Sequence, residues 1–146
     1  MAQNFRLAAP SLSDETIEQA FKDMALTQDR DVLPDGAETR LNDQLLAHLP
    51  EEAKKALTLA RAMARPSPLT LFSEPTNGLS DARRQSFKQW VLKQKGHRTV
   101  VIATADRSFL QLADRFVFLN GDRVAVHDTG DIGRKKIQAA FKALGG

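Results

Sequence analysis

Apolar residues recur at helical spacing in Ile17, Ala20, Phe21 and Met24, which predicts an amphipathic helix from Ser13 to about Leu26. Ser13 suits the N-cap, and Asp14 and Glu15 in the first turn favour the helix dipole. Pro34-Asp35-Gly36 is a turn by its own chemistry. A second long helix is expected from Pro50, tolerated at the first helical position, to Ala64, where Arg65-Pro66-Ser67-Pro68 ends it. Leu69 to Phe72 is then an apolar strand that runs into Ser73-Glu74-Pro75-Thr76, with Pro75 as its stop. Ser80 caps a third helix, with Phe87, Trp90 and Val91 as the buried stripe and Gly96 as the stop. Thr99 to Ala103 is β-branched and nearly all apolar, the pattern of a strand covered on both faces. Arg107 to Ala113 reads as a short helix. Arg115 to Leu119 and Arg123 to Val126 flank Asn120-Gly121-Asp122, the strongest hairpin signal in the chain. A last helix carries Ile137, Ala140, Phe141 and Leu144 on one face.

A chain of 146 residues is long enough for one domain with a real core, and 42% hydrophobic content is that of a globular protein. No apolar run reaches the length of a membrane span, and the N-terminus lacks a signal-peptide pattern. The absence of cysteine excludes disulfides and thiolate metal sites and suits the cytoplasm. His48, His97 and His127 are scattered, with no metal-ligand spacing. The net charge of +3 hides an asymmetry: residues 1–52 carry four basic and eleven acidic side chains, residues 53–146 seventeen and seven. Such a dipole could steer an acidic partner, although a solvated surface explains it as well. An anionic-surface or nucleic-acid binding module built on the basic second half is thus the alternative reading. One Trp and no Tyr leave little for base stacking, so nucleic acid is not the expected partner.

The stretch with most chemical content is Leu69 to Ser80. A carboxylate at the end of a buried strand, followed by a proline, presents an acid at the edge of a sheet. On these residues alone, a solvated Glu74 at a strand end is the plain alternative.

The same stretch resembles the Walker B segment and D-loop of ABC transporter ATPases, where an apolar strand leads to D-E-P-T-S-A-L-D; here it reads S-E-P-T-N-G-L-S. The likeness continues in both directions. Leu49-Pro50-Glu51-Glu52-Ala53 sits where the family has its L-S-G-G-Q signature, and Ala56 to Met63 resembles the helix after it. Thr99 to Asp106 resembles the strand that ends in the switch histidine. Ala113-Asp114-Arg115 and the run to Gly130 resemble the closing segment and hairpin. Gln3 to Leu7 and Leu33-Pro34-Asp35-Gly36 are similar to the entry and punctuation of the exporters' helical subdomain. The resemblance covers nearly the whole chain but only the second half of an ATPase domain. It implies an α/β fold: a partial P-loop ATPase-like core, mostly parallel sheet plus a C-terminal β-hairpin, with an N-terminal helical subdomain. Residues 1–65 would be the helical segment and 66–146 the partial core, in one compact unit.

The motifs depart from the family where its chemistry sits. No G-x-x-x-x-G-K-[ST] occurs; the nearest approach, Gly130 to Lys136, has two residues between its glycines and reads as a loop entering the last helix. Ser73 stands at the Walker B aspartate, and a neutral hydroxyl is a poorer ligand for a hard dication. Glu74 keeps the catalytic position, as a vestige with no bound phosphate to act on. Pro50 removes a backbone donor from the signature-like segment, and Glu51 and Glu52 put negative charge toward an anion. In the D-loop-like Gly78-Leu79-Ser80, Ser80 replaces the aspartate. Ala105 falls at the switch position and offers no side-chain hydrogen bond. The expectation is a degenerate or truncated ATP-binding domain without ATPase activity alone. No cofactor is expected for the isolated chain, whereas the family uses ATP and Mg²⁺. It would work through a partner ABC ATPase or a transmembrane subunit, in the cytoplasm and at the membrane only through that partner. In the family the P-loop strand separates the strand like Val100–Ala103 from the strand like Phe116–Leu119. Here those two strands are expected either to pair directly or to be bridged by a second copy. The homodimer is favoured, because Val100 to Ala103 is too apolar for a solvent edge.

Overall fold

The computed structural model describes residues 1–29, 31–120 and 123–128. The turn at Gly121-Asp122, the loop Gly130 to Lys136 and the last helix lie outside the described residues. The chain forms two compact units, Met1–Ala105 and Asp106–Gly146. The helical N-terminal segment and the first strands therefore belong to one unit.

The first unit opens with α1 (Ala2–Ala8) and α2 (Asp14–Asp23). The Ser13 side chain accepts from the Thr16 N–H at 3.3 Å, satisfying one orphan donor of the first turn. Ile17, Ala20 and Phe21 are buried, and the Phe21 ring lies 5.8 Å from that of Phe5 in α1. The helix ends three residues before the expected Leu26, because Ala25 turns left-handed at φ 52° and a 3-10 turn, Leu26–Gln28, follows. The turn at Pro34-Asp35-Gly36 forms as predicted, closed by Gly36 N–H to Leu33 C=O at 3.0 Å, with Gly36 at φ +53°.

A short helix, α3 (Asp43–His48), is capped by Asn42, whose side chain accepts from Leu45 N–H at 2.7 Å. In α4 (Glu51–Ala64), Pro50 is the N-cap and not the first helical residue. Ala53, Ala56, Leu59, Ala60, Met63 and Ala64 are buried on one face, and α4 packs on α2. Four of those six are alanine, so the helices approach without large side chains between them. Pro66 disfavours helical geometry at Arg65, which is extended at ψ 125°.

Strand β1 (Leu69–Ser73) pairs in parallel with β2 (Thr99–Ala103), with Leu71 opposite Val101. Between them runs α5 (Asp81–Lys93), followed by Gly96 at φ +77°. Phe87 and Trp90 of α5 are buried against Phe72 of β1, whose ring meets Phe87 edge-on at 5.1 Å and Trp90 at 5.8 Å. Arg98 lies over the Trp90 ring at 5.5 Å and donates to Arg65 C=O at 3.1 Å, tying the end of α4 to the end of α5.

The opposite face of this ribbon is open. Leu69, Leu71 and Val101 are about half exposed or more, so β2 is covered on one face and not on both. Among the described residues the strands form two separate two-stranded sheets, β1 with β2 in the first unit and, in the second, a pair that begins with β3 (Arg115–Asn120). β3 pairs antiparallel with β4 (Arg123–Asp128), as the hairpin signal predicts. Before β3, the expected helix is a five-residue 3-10 segment, Arg107–Gln111, capped by the Asp106 side chain. Among the described residues, no helix is long and apolar enough to cross a membrane.

Candidate functional site

Within the first unit the structure brings the motif-like segments to the C-terminal ends of β1 and β2 and the start of α4. Glu74 leaves β1 in the left-handed region, at φ 42°. Its N–H donates to Ala103 C=O at 2.8 Å, extending the parallel ladder by one rung. Its carboxylate accepts from the Thr104 hydroxyl at 3.0 Å and from the Ala105 N–H at 2.9 Å. The Lys55 ammonium donates to the Glu74 carbonyl at 2.9 Å. Glu74 is therefore not a solvated strand end. Both its carboxylate oxygens hold the two residues after β2, and one of those is the switch-like Ala105.

The signature-like and D-loop-like segments meet as well. Glu52 accepts from the Ser80 backbone N–H at 2.8 Å, so a side chain on α4 caps α5, where Ser80's own side chain makes no capping bond. Buried Arg83 forms ion pairs with Asp29 and, at 3.5 Å, with Glu52. Glu51 pairs with Lys54 at the exposed surface. Leu49, Ala53 and Leu79 are core residues, and Gly78 supplies φ +73° in the turn before Ser80. The charge of Glu52 is thus answered within the chain by Arg83 and Ser80 instead of confronting an anion. Ser73 ends β1 exposed, as a neutral hydroxyl beside a carboxylate already engaged. This donor set is a poor fit to an Mg²⁺–phosphate pair: a neutral hydroxyl stands where one carboxylate would be, and the other carboxylate is turned to Thr104 and Ala105. Among the described residues, no three His, Cys, Asp or Glu side chains converge as a metal site.

Hydrogen bonds from Ser80, side chain first and backbone next, hold the Glu52 carboxyl below its ordinary value of 4.5; burial opposes this and Arg83 assists. A carboxylate with a depressed folded value stabilises the fold above its unfolded value. It loses that contribution as pH falls through the folded one. The wild-type advantage over Glu52→Gln is therefore expected above about pH 4.5 and should fade as pH falls further through the depressed folded value. Urea midpoints of both proteins across that range check this, and a pH-independent difference would refute it.

The chain is 30% identical over 125 residues to an ABC-type transporter, kk1G, of Curvularia clavata, covering 84% of this chain and 9% of that protein. It is 26% identical over 126 residues to the glutathione/L-cysteine transport system ATP-binding/permease protein CydD of Bacillus subtilis, covering 86% of this chain and 22% of that protein. By sequence and by fold, the chain is related to the ABC exporters. The mitochondrial iron-sulfur clusters transporter ATM1 of Candida albicans is 29% identical over 87% of this chain and 17% of its own length. A solved bacterial Atm1-family ABC exporter with ATP bound shares the fold at a TM-score of 0.72 and 23% identity, over 92% of this chain and 24% of that one. No family model matches the chain. It spans roughly a fifth or less of the exporters it matches.

The resemblance to the ABC exporters, and the partial α/β architecture it implies, agree with these relatives. Lys55, Thr104, Asp29 and Arg83 escape a motif reading. Each is an ordinary polar residue in sequence and gains its part from a partner 19 to 54 positions away.

Proposed function

We propose that this chain is a degenerate ATP-binding domain of the ABC exporter kind, which does not turn over ATP alone and acts through a partner. The observation that carries the reading is the engagement of Glu74: each carboxylate oxygen accepts a hydrogen bond, from Thr104 and from Ala105, so the acid is turned to the end of β2 and serves to hold it. Ser73 and Ala105, at the metal and switch positions, support it from the sequence, as does the missing phosphate-binding lysine loop in these 146 residues.

The partner would be an ABC ATPase subunit, a transmembrane subunit or a second copy, and the chain would sit in the cytoplasm, reaching the membrane through it. The open face of the β1–β2 ribbon supports a partner, since Leu69, Leu71 and Val101 form an apolar strip with no charged neighbour on the strands. Titration calorimetry with ATP and Mg²⁺, with sedimentation of the same sample, tests the reading. No binding tighter than about 1 mM is expected, and self-association is expected if the partner is a second copy. Tight Mg²⁺-dependent binding would overturn the functional reading, and a strict monomer would remove the homodimer.

A further inference from the structure

We infer that Glu74 is a positioning residue through which the first turns of α4 fix the conformation of Thr104 and Ala105. Glu74 and Ala25 are the two non-glycine residues at positive φ among the described residues. A left-handed glutamate is disfavoured by its Cβ and persists only where its surroundings hold it. Its surroundings supply four hydrogen bonds: from its own N–H to Ala103 C=O, and to its oxygens from Lys55 Nζ, Thr104 Oγ1 and Ala105 N.

The second part of the device is the helix. Lys55 and Glu52 lie three positions apart on α4 and so face the same side. Lys55 holds the start of the segment 74–80 at the Glu74 carbonyl, and Glu52 holds its end at the Ser80 N–H. Both ends of the connection from β1 to α5 are thus gripped by one helix. The Glu74 carboxylate carries that grip across to β2, 30 residues on. A shift of α4 would move the Glu74 carbonyl and, through the same residue, the donors it aligns.

Exchange of the Ala105 amide, followed residue by residue by NMR, tests this, and it is independent of the nucleotide titration above. Glu74→Ala is expected to speed Ala105 exchange by tenfold or more, the effect of losing a charged acceptor. Lys55→Met is expected to speed it severalfold although Lys55 does not touch Ala105, and Lys55→Arg, which keeps a donor, should restore protection. Glu74→Gly removes the carboxylate while suiting φ 42°, so it should fold at least as well as Glu74→Ala and still lose Ala105 protection. Unchanged Ala105 exchange in Glu74→Gly, or in Lys55→Met, would overturn the inference.

Discussion

Phe87→Ala is expected to cost about 3–5 kcal/mol of stability, the largest effect of any single truncation in the first unit. Phe87 is fully buried and sits at the centre of an aromatic cluster. Its ring meets Phe72 edge-on at 5.1 Å and stacks on Trp90 at 6.0 Å. Two costs add. The apolar surface of the ring is no longer removed from water, and a cavity opens between β1 and α5 that rigid neighbours fill poorly. The stabilising pair geometries with Phe72 and Trp90 disappear as well. Urea unfolding followed by Trp90 fluorescence measures the loss, since Trp90 is the chain's one tryptophan. A cost below about 1 kcal/mol would mean that the cluster is not the core of this layer.

Arg83→Ala is expected to cost about 3 kcal/mol, the lower end for breaking a buried pair from one side. Its guanidinium is buried between Asp29 and Glu52, and the Asp29 side chain is itself mostly covered. Removing the cation leaves two carboxylates near each other with no counter-charge, and Asp29 has few routes to water. Asp29→Asn in the Arg83→Ala background should recover part of the loss, because it removes the orphaned charge. Urea midpoints of the single and double variants form the test. A double variant no more stable than Arg83→Ala would assign the loss to packing of the arginine stem instead.

Helices α2, α4 and α5 were legible because their information is local. Ile17, Ala20 and Phe21 repeat at helical spacing after Ser13, Pro66 stops α4, and Gly96 accepts the left-handed turn after α5. The hairpin strands were legible for the same reason, since β3 and β4 are neighbours in sequence. Helix α3 was not, being six residues with no buried side chain and hence no apolar period. The apolar run of β2 pointed to cover on both faces, yet Val101 is half exposed. Periodicity records how apolar a strand is; it does not say whether this chain contains the surface to cover it.

In the candidate site, the sequence determined which chemistry is available. Ser73 cannot replace a carboxylate at a metal, Ala105 cannot donate from its side chain, and Pro50 has no N–H. These follow from residue type alone and hold in any fold. The tertiary structure alone decided what the remaining charged groups do. Glu52 and Glu74 look like free acids in sequence, but Ser80, Arg83, Thr104 and Ala105 meet them from 28 to 31 positions away. A hydrogen bond needs its partners within about 3 Å, and sequence distance carries no such information. The hold of α4 on both ends of the 74–80 connection and the pairing of β1 with β2 brought those donors into range.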